Sequence, residues 1–171
     1  EPLSNLDAKL RVQMRAELKA MHQRLRTTTI YVTHDQIEAM TMATHVGVLD
    51  NGRLVQFGTP REIYEQPVSR YVASRLGLPR INILPAELFG GAPAGASHIG
   101  LRPEHIAQGE GKPGQVMRVE HLGDHTRLHL VLEGHDIVTL ADPHSTLVPG
   151  DSVSITPRAA LYFDAAGARI A

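Results

Sequence analysis

The sequence predicts an α/β segment followed by a small all-β barrel, and three observations carry that reading. First, Leu6, Leu10, Met14, Leu18, Met21 and Leu25 recur at spacings of three and four. This draws one apolar stripe down a helix from Asp7 to about Arg26. The β-prone run Thr28-Thr29-Ile30-Tyr31-Val32-Thr33 follows, and then an amphipathic segment to Met42, so the opening reads helix, strand, helix, the grammar of a doubly wound sheet. Second, Asn51-Gly52 stands between His45–Asp50 and Arg53–Phe57, a strong short-range hairpin signal. Third, helical periodicity disappears beyond residue 97, where short β-rich runs alternate with turn residues at a spacing of roughly ten.

Composition narrows the class. Seventeen Lys and Arg stand against eighteen Asp and Glu, so charge suggests neither a polyanion partner nor an anionic membrane surface. The absence of cysteine removes disulfides, thiolate zinc sites and thiol catalysis together. No apolar run approaches the length of about 18 residues that a membrane span needs, and no signal-peptide pattern is visible. A Glu-Pro-Leu opening without an initiator methionine is expected of the interior of a longer protein.

Taken in order, Asp7 is a ready N-cap for the first helix. Arg11, Arg15, His22 and Arg26 form a solvated face opposite its stripe, which is assigned to core. The strand Thr28–Thr33 delivers His34 to the point where it gives way to a helix beginning near Asp35. In open α/β sheets ligands bind outside the carboxyl ends of strands. A histidine there can address a phosphate, although a lone one is usually a satisfied structural residue. After the hairpin, Thr59-Pro60-Arg61-Glu62 gives a capping box that opens a short helix, and Pro67 ends it. A further helix from about Ser69 stops at Gly77. The division expected is therefore 1–77, a linker over 78–97, and 98–171. Candidate strands in the last part are 98–101, 115–121, 126–132, 136–140, 152–156 and 161–163, which suggest a closed barrel of the OB type. Few aromatics and no basic groove argue against nucleic acid.

Two stretches now combine. Glu1-Pro2-Leu3-Ser4-Asn5-Leu6-Asp7 and Thr28-Thr29-Ile30-Tyr31-Val32-Thr33-His34-Asp35-Gln36 resemble, in order and spacing, the catalytic-glutamate and D-loop segment and the switch-histidine segment of ABC transporter ATPases. The resemblance extends over nearly the whole chain. Asn51–Pro60 with Ile63-Tyr64 looks like the final hairpin and helix of an importer ATPase domain. Gly100–Ile106 and Val119–Asp124 resemble its regulatory barrel, called TOBE, in the sugar-uptake type that serves maltose, glycerol phosphate and related solutes. By that resemblance the first part is the carboxyl-terminal part of a P-loop ATPase domain. Glu1 then polarises the attacking water and His34 donates to the γ-phosphate, while Asp7 with Ser4 and Asn5 reaches the nucleotide across a homodimer interface. The resemblance further implies ATP and magnesium in the intact parent, two transmembrane permease subunits as partners, and a cytoplasmic location on the inner face of a bacterial membrane.

Departures from the family pattern are equally informative. The phosphate-cradling loop with its lysine, the glutamine loop, the Ser-Gly-Gly-Gln signature and the magnesium-binding aspartate are absent from this sequence; by resemblance they belong before Glu1. The chain alone is therefore expected to hold no nucleotide and to be inactive as an ATPase, and residues 1 to about 45 are expected to pair with another copy or to take an arrangement unlike the parent's. Thr44-His45 stands where Asp-Arg is common in the family, and Asp124-His125 where Glu-Thr is common; neither touches the chemistry.

Ten histidines invite a metal reading. His121, His125 and His129 look like a ladder, but the Gly123-Asp124 turn breaks their register, and no metal site is assigned. The alternative to catalysis is a regulatory dimerisation module whose barrel contacts a regulatory protein or senses a small ligand or oxyanion, with Arg102, His105 and backbone amides as a pocket.

Overall fold

The computed structural model describes Leu3 and residues 7–170, which contacts divide into two compact units meeting at Gln66 and Pro67. Glu1, Ser4 and Asn5 lie outside the described residues.

In the first unit, α1 runs Ala8–Leu25. The Asp7 carboxylate accepts the Leu10 N–H at 2.8 Å, satisfying one of the orphan donors of the first turn. Arg26 ends the helix in the left-handed region, its N–H returning to the His22 carbonyl, and His22 and Arg24 complement the carboxyl end of the dipole. The stripe assigned to core is only partly covered, because Leu10, Met21 and Leu25 are exposed.

The expected strand over 28–33 does not form. The segment is extended, yet among the described residues it joins no sheet, and Ile30 and Val32 are 90% and 65% exposed. A strand needs a neighbour to take its N–H and C=O groups. No described strand lies beside it, so local side chains hold this segment instead of a ladder. Helix α2 (Gln36–Met42) follows. Strands β1 (Val46–Asp50) and β2 (Arg53–Gly58) then form the expected antiparallel hairpin. Asn51 and Gly52 both have positive φ, as the tight primed turn between twisted strands requires. The capping box at α3 (Pro60–Glu65) is complete. The Thr59 N–H donates to the Glu62 carboxylate at 2.7 Å and its hydroxyl at 2.9 Å, which holds that carboxyl below the usual carboxylate range.

The second unit is OB-like. Helix α4 (Arg70–Arg75) precedes β3 (Asn82–Pro85), a 3-10 turn over Ala86–Phe89 and β4 (His98–Leu101). A 3-10 turn over Pro103–His105 leads into β5 (Ile106–His121), and β6 (Thr126–Leu132), β7 (His135–Ala141), β8 (Ser152–Pro157), β9 (Leu161–Phe163) and β10 (Arg169–Ile170) follow. They make two four-stranded antiparallel sheets, ordered β10-β9-β4-β3 and β7-β6-β5-β8. Strict alternation along β6 sends Leu128, Leu130 and Leu132 inward, where they meet Ile99, Leu101, Val116, Ile137 and Ile155 in one core.

One side chain links the sheets at their β3 and β7 edges. Asn82, 8% exposed, accepts the Val138 N–H at 2.7 Å and donates to the Val138 carbonyl and to the Leu101 carbonyl, both at 2.9 Å. The amide imitates a peptide group and pairs β3 with β7 where the backbone ladder stops.

Residues 67–76 are built into this unit. Ser69 bridges Ala168, the Arg70 N–H donates to the Gly167 carbonyl and the Arg169 N–H to the Val68 carbonyl. Ala73, Ile81 and Phe163 form a second small core against the sheet. Gly100 is required there, since a Cβ would lie 2.8 Å from the Phe163 ring and 3.0 Å from Ile81. The contact boundary thus falls ahead of the expected position at 77, and the segment read as a linker supplies β3.

The Asn82 linkage makes a direct prediction. Asn82→Ala leaves the Val138 N–H and carbonyl without this partner in a buried setting and should destabilise the chain by about 2–3 kcal/mol. Urea unfolding followed by circular dichroism checks it; an unchanged midpoint would show that the amide does not hold the sheets.

Candidate functional site

The first unit's site is built around a buried carboxylate. Glu38 lies in the first turn of α2 and is 4% exposed. It accepts the Thr33 hydroxyl at 2.6 Å and the Tyr31 hydroxyl at 3.1 Å. Alternation in the extended segment puts Tyr31 and Thr33 on one side, against α2, with Ile30 and Val32 on the other. Asp35 is the N-cap of α2, and its carboxylate accepts the Ile37 N–H at 2.7 Å.

Asp35-Gln36-Ile37-Glu38 has the spacing of a capping box, but the box is closed by relay. The Asp35 N–H that the glutamate would normally take donates instead to the Thr33 hydroxyl oxygen at 2.9 Å, and that hydroxyl donates to Glu38. Both flanks of residue 34 are therefore fixed. His34 is the bend between them and is exposed. Sequence reading missed Glu38; the signal was the Asp-x-x-Glu spacing directly after the β-prone run.

Of the expected site residues, then, the structure describes two. Asp7 is exposed and caps α1, and His34 is exposed just ahead of α2. Glu1, Ser4 and Asn5 fall outside the described residues.

In the second unit the guanidinium of Arg102, 3% exposed, donates to the carbonyls of Ala73 and Leu76. It closes the carboxyl end of α4, where a cation complements the dipole, and does not present that hand to an oxyanion with His105. The three histidines of the ladder go to separate partners. His129 meets Arg118 and Glu120, His121 meets the Thr126 hydroxyl, and His125 meets Asp124. Among the described residues no group of three metal-ligating side chains assembles. Arg118, Glu120, Arg127 and His129 form one cross-strand quartet on the outer face of β5 and β6. Partial burial pushes the Glu120 carboxyl up, but the hydrogen bond from His129 and the two arginines outweigh it and leave it lowered.

Residues 99–163 match the TOBE domain family. The whole chain is 45% identical to the ABC transporter ATP-binding protein y4oS of Sinorhizobium fredii, over 53% of that protein's length. It is 43% identical, over 93% of the chain and 52% of the relative, to the sn-glycerol-3-phosphate import ATP-binding protein UgpC of Ralstonia nicotianae. A protein of the same name from Ruegeria pomeroyi is 45% identical over 93% of the chain and 50% of the relative. The chain spans about half the length of the curated relatives it matches.

The Glu38 arrangement is testable by titration. Burial, followed by the hydrogen bond and negative charge of Glu38, pushes the Tyr31 phenol from its ordinary 10 up to about 12. The neutral phenol is the form folding favours, so this contribution is complete below pH 10 and is lost as pH rises toward 12. Glu38→Gln should move the Tyr31 titration back toward 10 in tyrosine-labelled NMR, burial retaining part of the shift. A titration unmoved by Glu38→Gln would contradict the contact.

Proposed function

Because this chain belongs to the ATP-binding proteins of ABC transporters, we propose that it is part of the carboxyl-terminal half of the ATP-hydrolysing subunit of an importer, which energises uptake of a sugar or a related solute such as a glycerol phosphate. The observation that carries this reading is that similarity to import ATP-binding proteins runs through both units of the chain, barrel included.

In the complete subunit, phosphoryl transfer to water needs an oriented nucleophile and neutralisation of the charge building on the γ-phosphoryl oxygens. Glu1 polarises the attacking water. His34, held outward at its bend, donates to the γ-phosphate. Asp7, Ser4 and Asn5 reach the nucleotide of a second copy, so the site completes only when two subunits close, and hydrolysis becomes coupled to movement. ATP and magnesium belong to that longer protein, and none is assigned to this chain alone. The subunit works as a homodimer on the inner face of the cell membrane, beneath permease subunits. No helix among the described residues is long and apolar enough to cross a membrane, and attachment in this reading comes through the permease.

The present sequence has no phosphate-cradling loop, and without such a nest of amides a triphosphate has no seat. The purified chain should therefore bind no ATP in calorimetry and release no phosphate, whereas the full-length protein assembled with its permease in vesicles should hydrolyse ATP as solute enters. ATP-dependent phosphate release by the chain alone, or solute entry without hydrolysis by the assembly, would overturn the proposal.

A further inference from the structure

We infer that Arg11 is a positioning residue for His34, bracing the residue that follows the histidine through its ion pair with Asp35. The inference rests on the hydrolytic reading above and adds a residue to it.

Two side chains of α1 tie it to α2. The Arg11 guanidinium stands 3.9 Å from the Asp35 carboxylate at the start of α2, and the Lys19 ammonium donates at 2.8 Å to the Thr41 carbonyl near its end. Arg11 to Lys19 is eight residues and Asp35 to Thr41 is six, which at a helical rise of about 1.5 Å per residue span about 12 and 9 Å. The ties land in the same order on both helices, so α1 and α2 run parallel over residues 11–19 and 35–41. Their amino termini, capped by Asp7 and Asp35, consequently lie at the same end of the pair.

Asp35 divides its carboxylate. Oδ1 accepts the Ile37 N–H at 2.7 Å and the Glu38 N–H at 3.4 Å, while Oδ2 faces Arg11. The residue immediately after His34 is thus bonded forward into its own helix and sideways to α1. On the other flank, Thr33 is bound to Glu38 and to the Asp35 N–H. Arg11 in turn sits one helical turn beyond Asp7, its own N–H donating to the Asp7 carbonyl at 2.9 Å. Arg11 therefore joins the first turn of α1, which Asp7 caps, to the residue that immediately follows the His34 bend. Both members of the pair are partly exposed, so the pair contributes little to stability. Its consequence is placement.

The test is steady-state ATPase kinetics of the full-length protein carrying Arg11→Gln, Asp35→Asn, both together, Arg11→Lys, or His34→Ala. Asparagine at 35 keeps the capping oxygen and removes the charge facing Arg11. Arg11→Gln and Asp35→Asn should each lower kcat about three- to tenfold with KM for ATP held within about twofold, since displacement of a reacting group is felt in turnover. The double variant should be no worse than the worse single one, and Arg11→Lys should recover part of the rate. Wild-type kcat in Arg11→Gln and Asp35→Asn beside a collapsed His34→Ala, or losses that multiply in the double variant, would overturn the coupling and leave the hydrolytic reading standing. Wild-type kcat in His34→Ala would overturn that reading and the coupling with it.

Discussion

The arrangement of the first unit depends on one buried carboxylate. Glu38 is withdrawn from water, which is tolerable only because two hydroxyls, from Thr33 and Tyr31, satisfy it. Those bonds do for the segment before α2 what a sheet ladder does for a strand. They fix one side of an extended chain, leave Ile30 and Val32 facing outward, and set where the chain must bend to enter the helix. The bend is His34. The placement of that histidine rests on the buried glutamate.

A similar substitution of side chain for backbone recurs in the second unit. Two four-stranded sheets leave edges at β3 and β7, and the Asn82 amide pairs them as a peptide group would. Arg102 does the equivalent for a helix, giving α4 carbonyls at its carboxyl end a buried donor. Each of these polar groups is buried with partners, so removing one leaves backbone atoms stranded in a low-dielectric interior, the costly half of a hydrogen bond. The barrel is thereby specified by a few side chains as much as by its apolar core.

What was legible in the sequence was local. Asn51-Gly52 wrote the hairpin and Thr59-x-x-Glu62 the capping box, because turn and cap chemistry acts within four residues; alternation over 126–132 wrote β6 for the same reason. The strand over 28–33 failed because β-propensity states a preference for a pleated surface and does not supply the neighbouring strand. Strand β3 was hidden by the prolines around it, which mark a linker in sequence, while its pairing with β4 is a contact across about fifteen residues that composition does not report. The alternative that set Arg102 in an anion pocket drew on its charge alone, whereas the burial of its guanidinium against the α4 carbonyls is a tertiary fact. Asp7 caps α1 as its position predicts, and Asp35 opens α2 where a helix was expected, whereas the burial of Glu38 and the pairing of Arg11 with Asp35 emerge only from distances.

In the proposed function, Glu1 and His34 serve ATP hydrolysis in the full-length subunit. The most direct measurement pairs ATP binding with turnover in the full-length protein bearing Glu1→Gln. Nucleotide binding should be retained while phosphate release falls by about 10²–10⁴-fold, the contribution of a positioned general base. Turnover at the wild-type rate in that variant would contradict the proposal.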